Sequence, residues 1–114
     1  QISDVAELGA CLEESFSSLK LMGIECALTA PAGERIYVRD AVRIYSFFES
    51  IVEACVNSIQ FMWVKIRPCG EELIVCMEAE SEANLSSFFD KAEKGECEDG
   101  VWKFTFTVKK AGEK

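Results

Sequence analysis

DAVRIYSFFESIVEACVNSIQF, residues 40–61, is the stretch around which the other elements of the chain can be arranged. Its apolar residues recur at intervals of three and four, which is the period of a buried helix face. We therefore predict a helix over Asp40–Phe61 with Asp40 as its N-cap, because a carboxylate there accepts hydrogen bonds from the free amides of the first turn. The periodic residues are Ala41, Ile44, Phe48, Ile51, Val52, Cys55 and Ile59.

A polar stripe follows the same predicted helix. Glu49, Glu53 and Asn57 are spaced four residues apart, which places them on one side of a helix. Such a stripe is either the solvated edge of an amphipathic helix or part of a functional site. The spacing alone leaves both interpretations open.

The segment Glu53–Asn57 reads Glu-Ala-Cys-Val-Asn. It resembles the N-box of sensor histidine kinases and the related GHKL ATPases, which has the form Glu-Ala-x-x-Asn on a long helix. In that family the Glu orients or activates the attacking group or a water, and the Asn oxygen helps to hold the Mg²⁺ that bridges the ATP phosphates. The resemblance therefore implies a catalytic role for Glu53 and a role in Mg²⁺ and cofactor binding for Asn57.

The composition limits the class of protein. The chain has 114 residues, of which 49% are hydrophobic, enough for the core of a single domain over 1–114. Its net charge of −8 disfavours nucleic acid and anionic lipid as partners. No apolar run is long enough to span a membrane, and the start at Gln1 lacks the features of a signal peptide. We expect a cytoplasmic piece of a longer chain.

The cysteine content also indicates a cytoplasmic protein, and the histidine content limits the possible chemistry. The six cysteines form no Cys-x-x-Cys pair and several lie in apolar periodic runs, so buried, reduced thiols are expected instead of disulfides or a zinc site. The chain has no histidine, the commonest general base and metal ligand. Any catalysis would have to use carboxylates.

The remaining periodicities predict six further elements. Two of them are helices, with stripes of apolar residues, and the others are β-prone segments bounded by glycine or proline. The elements are a helix over Asp4–Leu21, a strand over Ile24–Thr29, a strand stub or ordered loop over Arg35–Val38, a hairpin of Met62–Arg67 and Leu73–Ala79, a helix over Ser81–Lys94 capped by Ser81 or Asn84, and a strand over Val101–Lys109.

The predicted order is α-β-α-β-β-α-β. Each strand has one apolar face, so we predict an α/β (α+β) two-layer sandwich, in which helices cover one face of a mixed sheet. Two known folds share this order. One is the histidine-kinase ATPase fold, and the other is a ferredoxin-like domain with an added N-terminal helix.

The chain departs from the ATPase family at its nucleotide-binding motifs. Met77-Glu-Ala-Glu-Ser81 replaces the Asp-x-Gly-x-Gly box, and about twenty residues between Ala79 and Gly100 leave no room for a lid over the phosphates. There is no phosphate-binding GxxxxGK or GxGxxG loop. We interpret the acidic Glu78, Glu80 and Glu82 as a solvated face instead of a cation site.

These observations predict a degenerate histidine-kinase-like domain, a pseudokinase of two-component signalling. It would bind no cofactor and act by contact with a protein partner or a dimerisation domain. Two alternatives remain open. The first is an active ATP-dependent kinase domain that uses Mg-ATP with Glu53 and Asn57, and the second is a ferredoxin-like regulatory module.

Overall fold

A computed structural model describes residues 1–112, which form two long helices, seven strands and one short 3-10 helix. The elements in chain order are β1 (Ile2–Asp4), α1 (Val5–Leu21), β2 (Glu25–Thr29), β3 (Arg35–Tyr37), α2 (Val38–Cys55), β4 (Ile59–Cys69), β5 (Glu72–Ser81), the 3-10 helix (Ser86–Lys91), β6 (Lys94–Glu98) and β7 (Val101–Lys109).

The main sheet has five strands in the order β2-β4-β5-β7-β6. Strands β2 and β4 pair in parallel, because α2 carries the chain across between them, and the other neighbours are antiparallel. Helices α1 and α2 cover one face of this mixed sheet. The predicted two-layer α/β sandwich is confirmed.

The sheet order excludes the ferredoxin-like alternative. That fold is built on a split βαβ unit, in which another strand lies between the two parallel strands. Here β2 and β4 are direct neighbours, with Leu28 opposite Val64. The ferredoxin-like prediction is therefore wrong.

The core lies between the helices and the sheet. Helix α1 contributes one buried stripe, α2 contributes a second, and alternate residues of β4, β5 and β7 face them. Burial of each such side chain contributes about 1.5–3 kcal/mol. The largest fully buried side chains include Leu12, Phe16, Ile36, Ile44, Phe48, Ile51, Met62, Ile66, Leu73, Met77, Leu85 and Phe104.

Helix α2 differs at both ends from the predicted helix over Asp40–Phe61. It begins at Val38 after an N-cap at Tyr37, so that Asp40 lies in the first turn, and it ends at Cys55. Ile59 already belongs to β4. The helical period continued to Ile59 because the first buried residue of the strand falls four residues after the last buried residue of the helix.

The predicted third helix over Ser81–Lys94 is wrong. Ser81 ends β5, only Ser86–Lys91 is helical, and Lys94 begins β6. The two predicted caps instead close local turns: the Ser81 hydroxyl accepts the Ala83 amide at 3.0 Å, and Asn84 Oδ1 accepts the Ser86 amide at 2.9 Å. Such side-chain to backbone bonds compete with helix formation.

The hairpin and the last strand are confirmed. Strands β4 and β5 pair antiparallel, and β7 covers the predicted Val101–Lys109. Phe104 and Phe106 are buried, whereas Lys103 and Lys109 are outside the core.

A second, two-stranded sheet closes one end of the molecule. Strand β1, which the sequence pattern did not reveal, pairs antiparallel with β3, with Ser3 opposite Ile36. Ile36 is fully buried and also forms an isolated bridge with Lys110. The segment predicted as a strand stub or a loop at Arg35–Val38 is thus a strand that runs directly into α2.

The sheet face opposite the helices, which we call the open face, is formed by every second residue of the ranges 25–29, 61–67, 74–80, 94–98 and 101–107. Its residues are half-buried or exposed, and Trp63 is 38% exposed. Among the described residues, no helix is both long and apolar enough to cross a membrane.

Candidate functional site

Glu53 lies on the last turn of α2 and is exposed. Together with Glu49 it lines an open groove of about 560 Å³ between α1 and α2, and Ser15 and Ser18 of α1 lie across from them. The groove is therefore lined by carboxylates and hydroxyls above a buried floor that includes Phe48. The groove offers hydrogen-bonding groups, and within residues 1–112 the Glu53 carboxylate forms no ion pair.

Asn57 lies outside the helix. The chain leaves α2 at Cys55, and Asn57 is exposed in the turn that leads to β4. The Ser58 amide donates to the Cys55 carbonyl at 2.9 Å and fixes this turn. Asn57 is not among the residues that line the groove of Glu53. The sequence analysis predicted that Glu53 and Asn57 share one side of a helix. In the structure Asn57 lies beyond the end of α2, so they do not.

The space between α2 and the β7 side of the sheet is filled by three apolar residues, Leu85, Phe88 and Phe89, which we call the hydrophobic plug. Leu85 is fully buried and both rings are half-buried. The Phe88 ring packs edge-on against Phe47 of α2 at a centroid distance of 5.9 Å, and Phe47 in turn packs 5.3 Å from Phe104 of β7. The plug therefore joins α2 to the sheet.

Phe89 is the part of the plug nearest the sheet edge. Its ring lies 5.8 Å from Trp102 and 5.9 Å from Phe104. It also covers Gly95 of β6 so closely that a Cβ there would lie 2.3 Å from the ring. A side chain at Gly95 would displace Phe89, so this glycine is required by packing.

Ser81 is a buried polar residue that the sequence analysis interpreted only as a helix cap. It is 4% exposed, and its hydroxyl shares a hydrogen bond with the Ser58 hydroxyl at 2.7 Å. Its carbonyl accepts the Trp102 Nε1–H at 3.4 Å. The signal in the sequence was the alternation Leu73, Val75, Met77, Ala79, which places Ser81 at the next inward position of β5.

The cysteines are all free thiols. Burial raises the pKa of the Cys55 thiol above its ordinary value, and burial likewise raises the pKa of Cys26 and Cys76. These three thiols therefore stay protonated at neutral pH and are poor nucleophiles. Cys55 is buried and Cys26 packs against the core, whereas Cys76 is half-buried on the open face and Cys11, Cys69 and Cys97 are exposed. The prediction of buried thiols therefore holds for Cys55 and in part for Cys26.

The acidic residues Glu78 and Glu80 lie on the open face, and Glu82 follows β5 in an exposed position. Within residues 1–112 no group of three or more Cys, Asp and Glu side chains converges in a way that could hold a metal ion. Glu78 and Glu80 are half-buried, and Glu82 is exposed.

The fold is that of histidine-kinase catalytic domains. The catalytic domain of histidine kinase ThkA in a nucleotide-free form is 13% identical, with a TM-score of 0.71 over 99% of this chain and 98% of that chain. A further nucleotide-free form gives 0.69 over 96% and 95%, at 13% identity. The structure of ThkA in complex with the response regulator TrrA gives 0.67 at 15% identity, over 97% of this chain and 42% of that chain.

These likenesses concern the fold alone. No protein-family model matches the chain, and no curated protein matches it either.

Proposed function

We propose that this chain is a degenerate histidine-kinase-type ATPase domain that acts in signalling by contact with a protein partner and not by phosphoryl transfer. The scaffold is supported by the shared fold. The observation that carries the loss of nucleotide binding is the hydrophobic plug, because side chains of the chain itself occupy the space between α2 and the sheet.

A nucleotide site needs a concave pocket with a few placed polar groups. On the plug side of α2 the neighbouring rings pack closely, because the Phe47 ring lies 5.9 Å from Phe88 and 4.7 Å from Phe106. Beside them lies a shallow depression of about 290 Å³, with Arg43 and Lys91 at its rim. An adenine ring on this side of α2 would have to displace the plug.

The two N-box residues do not compensate for this. Glu53 follows Phe47 by six residues, so at about 100° per residue it projects roughly 240° around the helix from the plug side. It faces the groove beside α1, while Asn57 lies in the turn beyond the helix. Mg²⁺ retains most of its waters and relies on substrate phosphates, so one amide ligand cannot organise a site.

For a histidine-kinase-type fold without nucleotide binding, we propose contact with another protein as the function. ThkA, which has the same fold, has been solved in complex with a response regulator. For this chain we propose a signalling protein or a dimerisation domain as the partner. The six free cysteines are compatible with a reducing compartment such as the cytoplasm.

Thermal unfolding with and without millimolar Mg-ATP tests the proposal. Nucleotide at a hundred times its dissociation constant would stabilise the native state by about 2.7 kcal/mol. For a domain of this size each kcal/mol raises Tm by roughly 4 °C or more. We expect no change in Tm, either for the natural chain or for Asn57→Ala.

A rise in Tm of roughly 10 °C that Asn57→Ala abolishes would overturn the proposal and favour an active ATP-binding domain. Mg²⁺ alone and Mg²⁺ with inorganic phosphate serve as controls for non-specific ion effects. The variant Glu53→Gln distinguishes the roles of Glu53 and Asn57, since the loss of a catalytic carboxylate need not abolish the binding of Mg-ATP.

A further inference from the structure

The open face of the sheet is electrically polarised along its strands. Its residues form cross-strand rows, and the rows at one end are acidic while those at the other are basic. The acidic half holds Glu25, Glu78, Glu80, Glu96 and Glu98 with one cation, Lys103. The basic half holds Lys65, Arg67 and Lys94, and just beyond it lie Lys109 and two carboxylates, Glu72 and Glu93.

Among the described residues these charges form no close ion pair on the open face, although Lys103 lies opposite Glu78 and Glu96. In residues 1–112 the ion pairs are Arg43 with Asp40 and Lys110 with Glu34, and neither pair lies on the open face. Opposite charges at the two ends of one face make that face complementary to a reversed copy of itself. A single-sign partner would meet repulsion from one half.

The acidic half also carries the exposed aromatic surface. Trp63 is 38% exposed and stacks on Phe61 with a centroid distance of 4.5 Å and an interplanar angle of 24°. A cation placed over a Trp or Phe face is attracted by the ring quadrupole. Lys65 and Arg67 follow at the next two outward positions of the same strand.

A two-fold axis in the plane of the interface, perpendicular to the strands, would reverse the order of the rows. With that axis between the rows of Trp63 and Lys65, Lys65 of one copy faces Trp63 of the other and Arg67 faces Phe61. The same operation places Lys94 opposite Glu96. Every such contact occurs twice, as an isologous interface requires.

We propose that two copies of this chain associate through their open faces in this antiparallel arrangement. The proposal is independent of nucleotide binding. Five strands about 4.8 Å apart and up to four rows about 6.7 Å apart give a face of roughly 600 Å². A pair of faces buries roughly 1,200 Å², near the lower end for a specific interface, so the dimer forms at high protein concentration.

Sedimentation velocity of the full chain from about 1 to 500 μM tests the association. We expect a concentration-dependent shift from monomer to dimer at low ionic strength. The shift should weaken by about tenfold or more in 0.5 M NaCl, because partly exposed charges are screened. A natural chain that stays monomeric across this range would overturn the proposal.

Charge reversal tests the face and its register. Lys65→Glu with Arg67→Glu gives both halves of the face a net negative charge, and Glu78→Lys with Glu80→Lys removes the net negative charge of the acidic half. Each double variant should therefore weaken self-association by about tenfold or more. An equimolar mixture of the two double variants should form heterodimers. The chain that carries all four changes should recover only part of the association, because opposite charges again face each other on β4 and β5 while the contacts of Lys65 and Arg67 with the rings are lost.

The control is the double variant Lys20→Glu with Arg39→Glu, which changes the net charge by the same amount as Lys65→Glu with Arg67→Glu. Both control residues are exposed and lie on the helical side of the molecule. It should dimerise as the natural chain does. Circular dichroism of each variant establishes that it is folded. Reversals that leave association unchanged, or a mixture that fails to associate, would contradict the proposed interface.

Discussion

The hydroxyl of Ser81, at the inward end of β5, lies 2.7 Å from the hydroxyl of Ser58, in the turn after α2. Ser81 also accepts the Ala83 amide, and Ser58 also donates to the Cys55 carbonyl at 3.5 Å. The hydroxyl pair thus joins the end of a helix, the end of a strand and the start of a loop. Each buried polar atom in this group has a partner.

We expect Ser81→Ala to lower the free energy of unfolding by about 1–3 kcal/mol, because it leaves the Ala83 amide and the Ser58 hydroxyl without their partner. Ser58→Ala should cost less, since Ser81 keeps the Ala83 contact. Urea unfolding of both single variants and the double variant measures the coupling energy. Additive effects would show that the hydroxyl pair contributes nothing beyond its separate bonds.

Because Phe89 packs directly on Gly95, we predict that even a methyl side chain at position 95 lowers the free energy of unfolding. Gly95→Ala should destabilise the fold by about 1–3 kcal/mol, because its Cβ would lie 2.3 Å from the Phe89 ring. Gly112→Ala is the matched control, since a Cβ there meets nothing within 4 Å. Its effect should lie within about 0.5 kcal/mol of zero.

The same substitution in a Phe89→Ala chain shows whether the clash with the ring, or any substitution of Gly95 in β6, causes the loss of stability. In a Phe89→Ala chain the ring is absent, so Gly95→Ala should there cost much less than in the natural chain. Chemical denaturation of the four combinations provides the cycle. An unchanged cost of Gly95→Ala without the ring would contradict the packing argument.

The buried thiols predict a loss of stability in alkali. Burial raises the pKa values of Cys26, Cys55 and Cys76 in the folded state, so the folded chain retains these protons after the unfolded chain has lost them. Their contribution is complete below the unfolded thiol pKa of about 8.5 and is lost progressively above it, up to the raised folded values.

Stability should therefore fall as the pH rises above about 8.5. Cys55→Ala should be less stable at neutral pH but should show a shallower fall, because one contributing thiol is absent. Denaturant melts at a series of pH values, each compared with pH 7, separate the two effects. The exposed Cys11→Ala is the control, and an identical slope in all three chains would refute the assignment to Cys55.

The sequence predicted those elements whose apolar residues follow the period of only one type of secondary structure. The strict alternation in Val101–Lys109 gave both β7 and its buried face, because a slip by one residue would bury Lys103. Helix α1 followed equally well from its apolar stripe. In contrast, the end of α2 was missed, since Ile59 satisfies the helical period of α2 and is also the first inward residue of β4.

The short edge elements could not be predicted from their own residues. Strand β6 reads Lys-Gly-Glu-Cys-Glu and lacks the alternating apolar residues of a strand, because it pairs only with β7 at the sheet edge. The roles of Glu53 and Asn57 stay predictions, and only their positions can be compared with the structure. Glu53 is on the expected helix, but the hydrophobic plug and the Ser58–Ser81 contact depend on residues distant in sequence that only the tertiary fold brings together.

Strand β3 is held by chain segments from both ends of the molecule. Ser3 pairs with Ile36 on one side, and Lys110 bridges Ile36 on the other, with the Ala111 amide donating to the Arg35 carbonyl at 3.0 Å. Both flanking segments run antiparallel to β3 and therefore in the same direction as each other. A mechanical load that pulled the two segments apart along their length would act on this ladder in shear, so that its hydrogen bonds would resist together before the load reached the hydrophobic core.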